Sequence, residues 1–159
     1  MSAEQEHALS WLRKADEDLR AARKLMIPPD PILGIVVYHC QQAAEKAAKS
    51  ILALHGERIP YEHDIGLILE KIEQYDSNLG QFRTKAETLT TYATDYRYPR
   101  PNPKPLSQET VETAIRDAES IVKHIHSLVP ADTDDGGNGS GGDASDGQPQ
   151  GSGIAGTGR

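Results

Sequence analysis

The chain has a single cysteine, Cys40, so it builds no internal disulfide; a lone thiol in an apolar helical stretch suits a reducing cytoplasm. No apolar run approaches the ~20 residues that a membrane-spanning helix needs. The opening MSAEQEH is polar and acidic, unlike a secretory signal, so a soluble, cytoplasmic protein is expected. No stretch alternates apolar and polar residues with period two, which argues against a sheet, and no segment repeats. An excess of positive charge is also missing, because the chain carries 17 Lys and Arg against 24 Asp and Glu, for a net charge of −7.

That charge is unevenly placed. The run from Ala131 holds five Asp against the single Arg159, with Ile154 as its one large apolar side chain. Such a segment cannot bury enough surface to offset the entropy of ordering. The expected organisation is one domain over residues 1–130 and a disordered acidic tail rich in Gly, Ser and Asp over 131–159. Without the tail, the charge falls to about −3 (sixteen cations against nineteen carboxylates). A domain this near neutrality has no global field to hold duplex DNA, so any polyanion site must be a local cluster of cations.

What is present is helical periodicity. Ala8, Trp11, Leu12, Ala15, Leu19, Ala22 and Met26 predict a first helix over about Glu4 to Met26, stopped by Pro28-Pro29. Asp30 is the expected cap of a second, with Pro31 at its first position and Gly56 at its end. Its alanines, among them Ala43, Ala44, Ala47 and Ala48, permit close approach and place it centrally in a bundle. After the loop ERIPYE, His63 or Asp64 caps a short helix burying Ile65, Ile68, Leu69 and Ile72, ended by Asp76-Ser77-Asn78. A fourth helix carries Leu79, Phe82, Ala86, Leu89, Tyr92 and Ala93 and stops by Tyr98, before the extended connector RYPRPNPKP. Ser107 caps the last, whose inward stripe runs from Val111 to Leu128. The fold class is all-α, a bundle of about five helices.

Three places could carry chemistry. On the second helix Tyr38, Gln42, Glu45, Lys46 and Lys49 recur at three- and four-residue steps. This polar seam offers point charges for phosphate and an amide for a base edge, or is a solvated face with a weak Glu45–Lys49 pair. Loop residues Arg58, Tyr61 and His63 precede the third helix, where His63 is a cap, a packing residue or a donor to an anion at that helix's N-terminus. Third, YATDYRYP sets three of the six tyrosines beside Arg97 and Arg100, the aromatic faces and guanidinium groups that a stacked base and its phosphate require. Tyrosines at a helix end are as readily core-edge residues.

The ordered set SWLRKADEDLRAARKLM, YHCQQAAEKAAKSILALHG, HDIGLIL and YATDYRYP resembles the HEPN domain over about Ser10 to Leu128. The resemblance implies a helical bundle like nucleotidyltransferase substrate-binding domains, frequently a homodimer. It also implies a minimal nucleotidyltransferase as partner in a two-component, often toxin–antitoxin, module. The family's QQxxEKxxK falls on Gln41, Gln42, Glu45, Lys46 and Lys49, its HD on His63 and Asp64, and its RYP on Arg97, Tyr98 and Pro99. These imply a polar cavity between helices or at a dimer interface; for a nucleotide or RNA held there, Lys46, Lys49 and Arg97 are the expected phosphate contacts, Tyr98 the stacking ring, and Gln42 and His63 the hydrogen-bonding groups. Loss of Lys49 or Arg97 should then weaken binding without affecting melting. One family branch consists of metal-independent ribonucleases with an arginine four to six residues ahead of a histidine. Here only Arg58 and His63 fit that interval, and they lie outside the motif's usual place. A non-catalytic binding module is therefore expected, with no catalytic residue, cofactor or metal; a ribonuclease toxin using Arg58 and His63 and a purely structural dimerisation module are the alternatives.

Overall fold

A computed structural model describes residues 1–131; the acidic tail expected over 131–159 lies almost wholly outside them. Helix α1 (Ala3–Leu25) is followed by α2 (Leu33–Leu54), α3 (Ile65–Ile72), a 3-10 turn (Ser77–Phe82), α4 (Arg83–Asp95) and α5 (Gln108–Leu128), with no strand among the described residues. The Ser2 hydroxyl accepts from the Gln5 amide at the start of α1. Glu4 and Glu6 in its first turn and Arg23 and Lys24 in its last complement the helix dipole.

Helix α2 is the hub and touches each of the other four helices. Its Ala43, Ala44, Ala47 and Ala48 are fully buried, as are Ala8, Ala15 and Ala22 of α1, and small side chains on both partners let these two long helices pack closely. The apolar stripe of α5 closes the core, with Val111, Ala114, Ala118, Ile121, Val122 and Ile125 all buried.

Two boundaries differ from the sequence expectation. Asp30 does not cap α2: the Ile32 amide donates to the Leu25 carbonyl (3.1 Å), which ties the Pro31 segment back to α1. The helix starts at Leu33 behind Ile32, with no side-chain cap. Leu79 and Phe82 are buried, as expected, but on the separate 3-10 turn, because Asp76 accepts from the Asn78 amide and opens that turn. The other end signals hold. Asp64 accepts from the Leu67 amide at the head of α3, Ser107 from the Thr110 amide at the head of α5, and Gly56 takes the left-handed φ of 66° that closes α2.

Cys40 is buried at the centre of α2, and burial, its largest influence, pushes the thiol up to about 12. A thiol so protonated and enclosed is a poor nucleophile. Ellman's reagent should find no reactive sulfur in the folded protein and one per chain in denaturant; fast modification under native conditions would show that the core opens there.

Candidate functional site

The polar residues of α2 divide between two flanks, and the helix period decides which goes where. Gly34, Tyr38, Gln41, Glu45 and Lys49 follow one another at three- and four-residue steps on a single face. Gly34 lies against Tyr96 at the end of α4: a Cβ there would sit 3.6 Å from the Tyr96 Cβ. One turn on, the Arg97 guanidinium lies over the Tyr38 ring, 5.1 Å from its centroid, and also over Tyr98 at 5.4 Å. Gln41 reaches the His63 carbonyl at 3.4 Å, and Glu45 meets the His63 ring. One stripe of α2 thus receives the end of α4 and the loop before α3 together.

Glu45 is the centre of this stripe and is only 4% exposed. Its Oε1 accepts from Lys49 Nζ at 2.8 Å and from His63 Nδ1 at 3.0 Å, and its Oε2 accepts from Gln41 Nε2 at 2.8 Å. Burial is the largest influence on the carboxyl and pushes its pKa up, but the donors Lys49, Gln41 and His63 together outweigh it and hold the group below its ordinary value. An ionised carboxylate only accepts, so His63 Nδ1 carries a proton. The His63 side chain is 71% exposed, which leaves its other ring nitrogen to solvent. Gln42 extends the network by donating to Gln41 Oε1 at 2.8 Å.

Lys49 is as buried as Glu45, at 4%. The sequence offered the pair as a solvated i,i+4 contact or Lys49 as a free phosphate ligand; its ammonium is enclosed and committed to Glu45. Lys46 goes to the neighbouring flank. There, with His39, it faces α1, where the largely buried Asp18 accepts from Lys46 Nζ at 2.5 Å and pairs with His39 Nδ1 at 2.8 Å. Of the expected set, Gln42, Glu45, Lys49 and His63 join one hydrogen-bonded network on this stripe through Gln41, Arg97 meets the stripe at Tyr38 with Tyr98 beside its guanidinium, and Lys46 belongs to neither group. Sequence reasoning missed the Asp18–His39–Lys46 cluster. The signal was there: His39 and Lys46 are seven residues apart, two turns on one face.

Arg58 and Tyr61 are exposed in the loop, and Arg58 has no carboxylate partner among the described residues. Asp64 spends its carboxylate on the α3 cap. No group of three or more His, Cys, Asp or Glu among the described residues is arranged to hold a metal ion, and no helix among them is long and apolar enough to cross a membrane.

The HEPN domain family matches residues 8–128. The chain belongs to the HEPN family. A Methanocaldococcus jannaschii protein named "Putative toxin MJ1304" is 28% identical to this HEPN chain over 140 residues, which cover 77% of this chain and 88% of that protein. The crystal structure of TT1696 from Thermus thermophilus has the same fold, with a TM-score of 0.67 at 23% identity, covering 76% of this chain and 97% of that one. The all-helical HEPN bundle expected from the sequence is therefore the observed one.

Proposed function

We propose that this HEPN protein is a non-catalytic binding module of a toxin–antitoxin type system. It takes a nucleotide, or the nucleotide end of an RNA, on the α2–α4 flank, and a minimal nucleotidyltransferase is its protein partner. The observation that carries this reading is the exposed Arg97 guanidinium between the Tyr38 and Tyr98 rings, on the same α2 stripe that fixes His63. Tyr98, at 61% exposure, is free to stack on a base, and Arg97 supplies a planar fork for phosphate. From Tyr38 to Glu45 the stripe advances about 10 Å at 1.5 Å per residue, comparable with the length of a mononucleotide. Gln42 and His63 then supply hydrogen bonds, while Glu45 and Lys49 position them from beneath. The similarity to a protein named as a toxin supports the two-component setting, and a homodimer is the assembly expected of it.

Calorimetric titration with ATP, GTP and AMP tests this reading. Arg97→Ala should weaken binding about tenfold, the loss of one charge-assisted contact, and leave melting unchanged because the residue is exposed. If no nucleotide binds at millimolar concentration, the proposal is wrong.

One observation favours a second reading. A ring whose Nδ1 is held by a buried carboxylate while its other nitrogen faces solvent is how a general base is oriented, and His63 on Glu45 has that form. A ribonuclease using His63 with Arg58 would cleave RNA without added metal and lose that activity in His63→Ala. Cleavage retained by the variant would remove this site from consideration.

A further inference from the structure

The hydrogen bonds around Glu45 run in one direction only. An ionised carboxylate and a backbone carbonyl accept and never donate, so a side-chain amide that meets both must turn its nitrogen to them. That amide is Gln41, which is fully buried. Its Nε2 donates to Glu45 Oε2 at 2.8 Å and to the His63 carbonyl at 3.4 Å, which engages both of its protons. Reversed, the same amide would set its oxygen against two acceptors with no water to relieve them. With the nitrogen committed, Gln41 offers only Oε1 to its neighbour, and Gln42 donates Nε2 to it at 2.8 Å. Glu45 thus sets the orientation of Gln41, and Gln41 sets that of Gln42.

At Gln42 this order reaches the surface. The residue is half-buried, and its Oε1 accepts no hydrogen bond among the described residues. No enclosed side-chain polar atom among those residues lacks a partner, so this oxygen is open to solvent. One Nε2 proton is also left over. A lone surface glutamine reverses its amide freely and matches a donor or an acceptor equally well; Gln42 is held with its oxygen outward. Tyr38 lies one turn back on α2, about 6 Å along the axis, under the Arg97 guanidinium that also covers Tyr98. The groups suited to a base and its phosphate therefore stand next to an amide of fixed polarity.

On the reading of this flank as a nucleotide site, on which the assignment rests, we infer that Glu45, acting through Gln41, makes Gln42 a reader of amino-bearing bases. The class it selects is adenine or cytosine, whose amidine edge sets an exocyclic amine beside a ring-nitrogen acceptor. The amine donates to Gln42 Oε1, and the ring nitrogen accepts the remaining Nε2 proton. Hypoxanthine and uracil present the reverse, an oxygen beside a ring N–H, and meet Gln42 with acceptor against acceptor. Gln42 is the contact residue; Gln41 and Glu45 are positioning residues.

Calorimetric titration of the full chain with AMP and IMP, which differ only at this edge, tests the assignment. The wild type should bind AMP about tenfold more tightly than IMP, and CMP should be favoured over UMP in the same sense. Gln42→Ala should weaken AMP and bring the AMP-to-IMP ratio close to one. Gln41→Met keeps the volume and leaves Glu45 with Lys49 and His63, but it frees the Gln42 amide to turn. Its ratio should fall for a different reason, because IMP binding improves. A merely structural role for Gln41 would weaken both nucleotides alike and keep the ratio, and that result would overturn the positioning chain. Should Gln41→Met not fold, the wild-type ratio and Gln42→Ala still decide. Equal wild-type affinity for AMP and IMP would overturn the base selection while leaving the nucleotide site standing, whereas no binding of either would remove both.

Discussion

Lys49→Ala should destabilise the domain by about 3–5 kcal/mol, the cost of stranding a buried charge, and lower the melting temperature by roughly 10 °C or more. The pair it breaks lies under the site: both residues are 4% exposed and meet at 2.8 Å. A surface pair at the same spacing would cost only tenths of a kcal/mol, so the size of the loss distinguishes the two placements directly. Replacing Glu45 and Lys49 together by apolar residues of similar volume should cost much less than either single change, since no charge is then left behind. Urea titration of the two single variants and the double variant gives the coupling. Additive losses would mean that the two groups do not act on each other.

The same pair gives a pH signature. Glu45 is held below its ordinary value of 4.5, so its contribution is fully present above that pH and is lost as pH falls through the lower folded value. The stability gap between wild type and Glu45→Gln should therefore be constant near neutrality and narrow below about pH 4.5. A gap that widens on acidification would contradict the assignment.

Leu69→Ala should cost about 2–5 kcal/mol, and its consequences should concentrate on one element. Helix α3 has eight residues, too few to persist alone in water. It is held by Ile65, Ile68, Leu69 and Ile72, all essentially buried, by the Asp64 cap and by the Ile65 amide donating to the Thr90 hydroxyl oxygen at 3.0 Å. Removing Leu69 withdraws a large share of that anchorage. Hydrogen exchange should show the α3 amides losing protection well before those of α2 or α5. Because His63 leads directly into α3, its contact with Glu45 should loosen too. Uniform loss of protection across the bundle would show that α3 has no separate local stability.

The helices were legible in the sequence wherever local signals and apolar period agreed. The Pro28-Pro29 stop, the Asp64 and Ser107 caps and Gly56 mark ends that the backbone chemistry fixes locally, and the structure keeps them. Asp30 misled because a cap residue ahead of a proline is only a local preference, and the Ile32–Leu25 hydrogen bond outweighed it. The Leu79 and Phe82 stripe was right about burial and wrong about the element, since period alone does not separate a 3-10 turn from the α-helix that continues it.

For the site, the residue types and the separation of Gln41, Glu45 and Lys49 from His63 and from Arg97-Tyr98 could be read in advance. Their depth could not. Whether Lys49 is a free phosphate ligand or a buried counterion depends on what packs over it, and whether Lys46 joins the site depends on which of two neighbouring faces of α2 meets α1.

By itself, then, the sequence determined an all-helical HEPN bundle, with α2 at its centre and a set of polar and aromatic residues interrupting its apolar stripes, because periodicity and end signals act within a turn or two of the chain. Only the tertiary structure decided that Glu45 sits enclosed among Gln41, Lys49 and His63, that Lys46 turns to Asp18, and that Arg97 lies over Tyr38. Those outcomes turn on desolvation and pairing between segments distant in sequence, and a charge's free energy is fixed by the groups that surround it in space rather than by its neighbours along the chain.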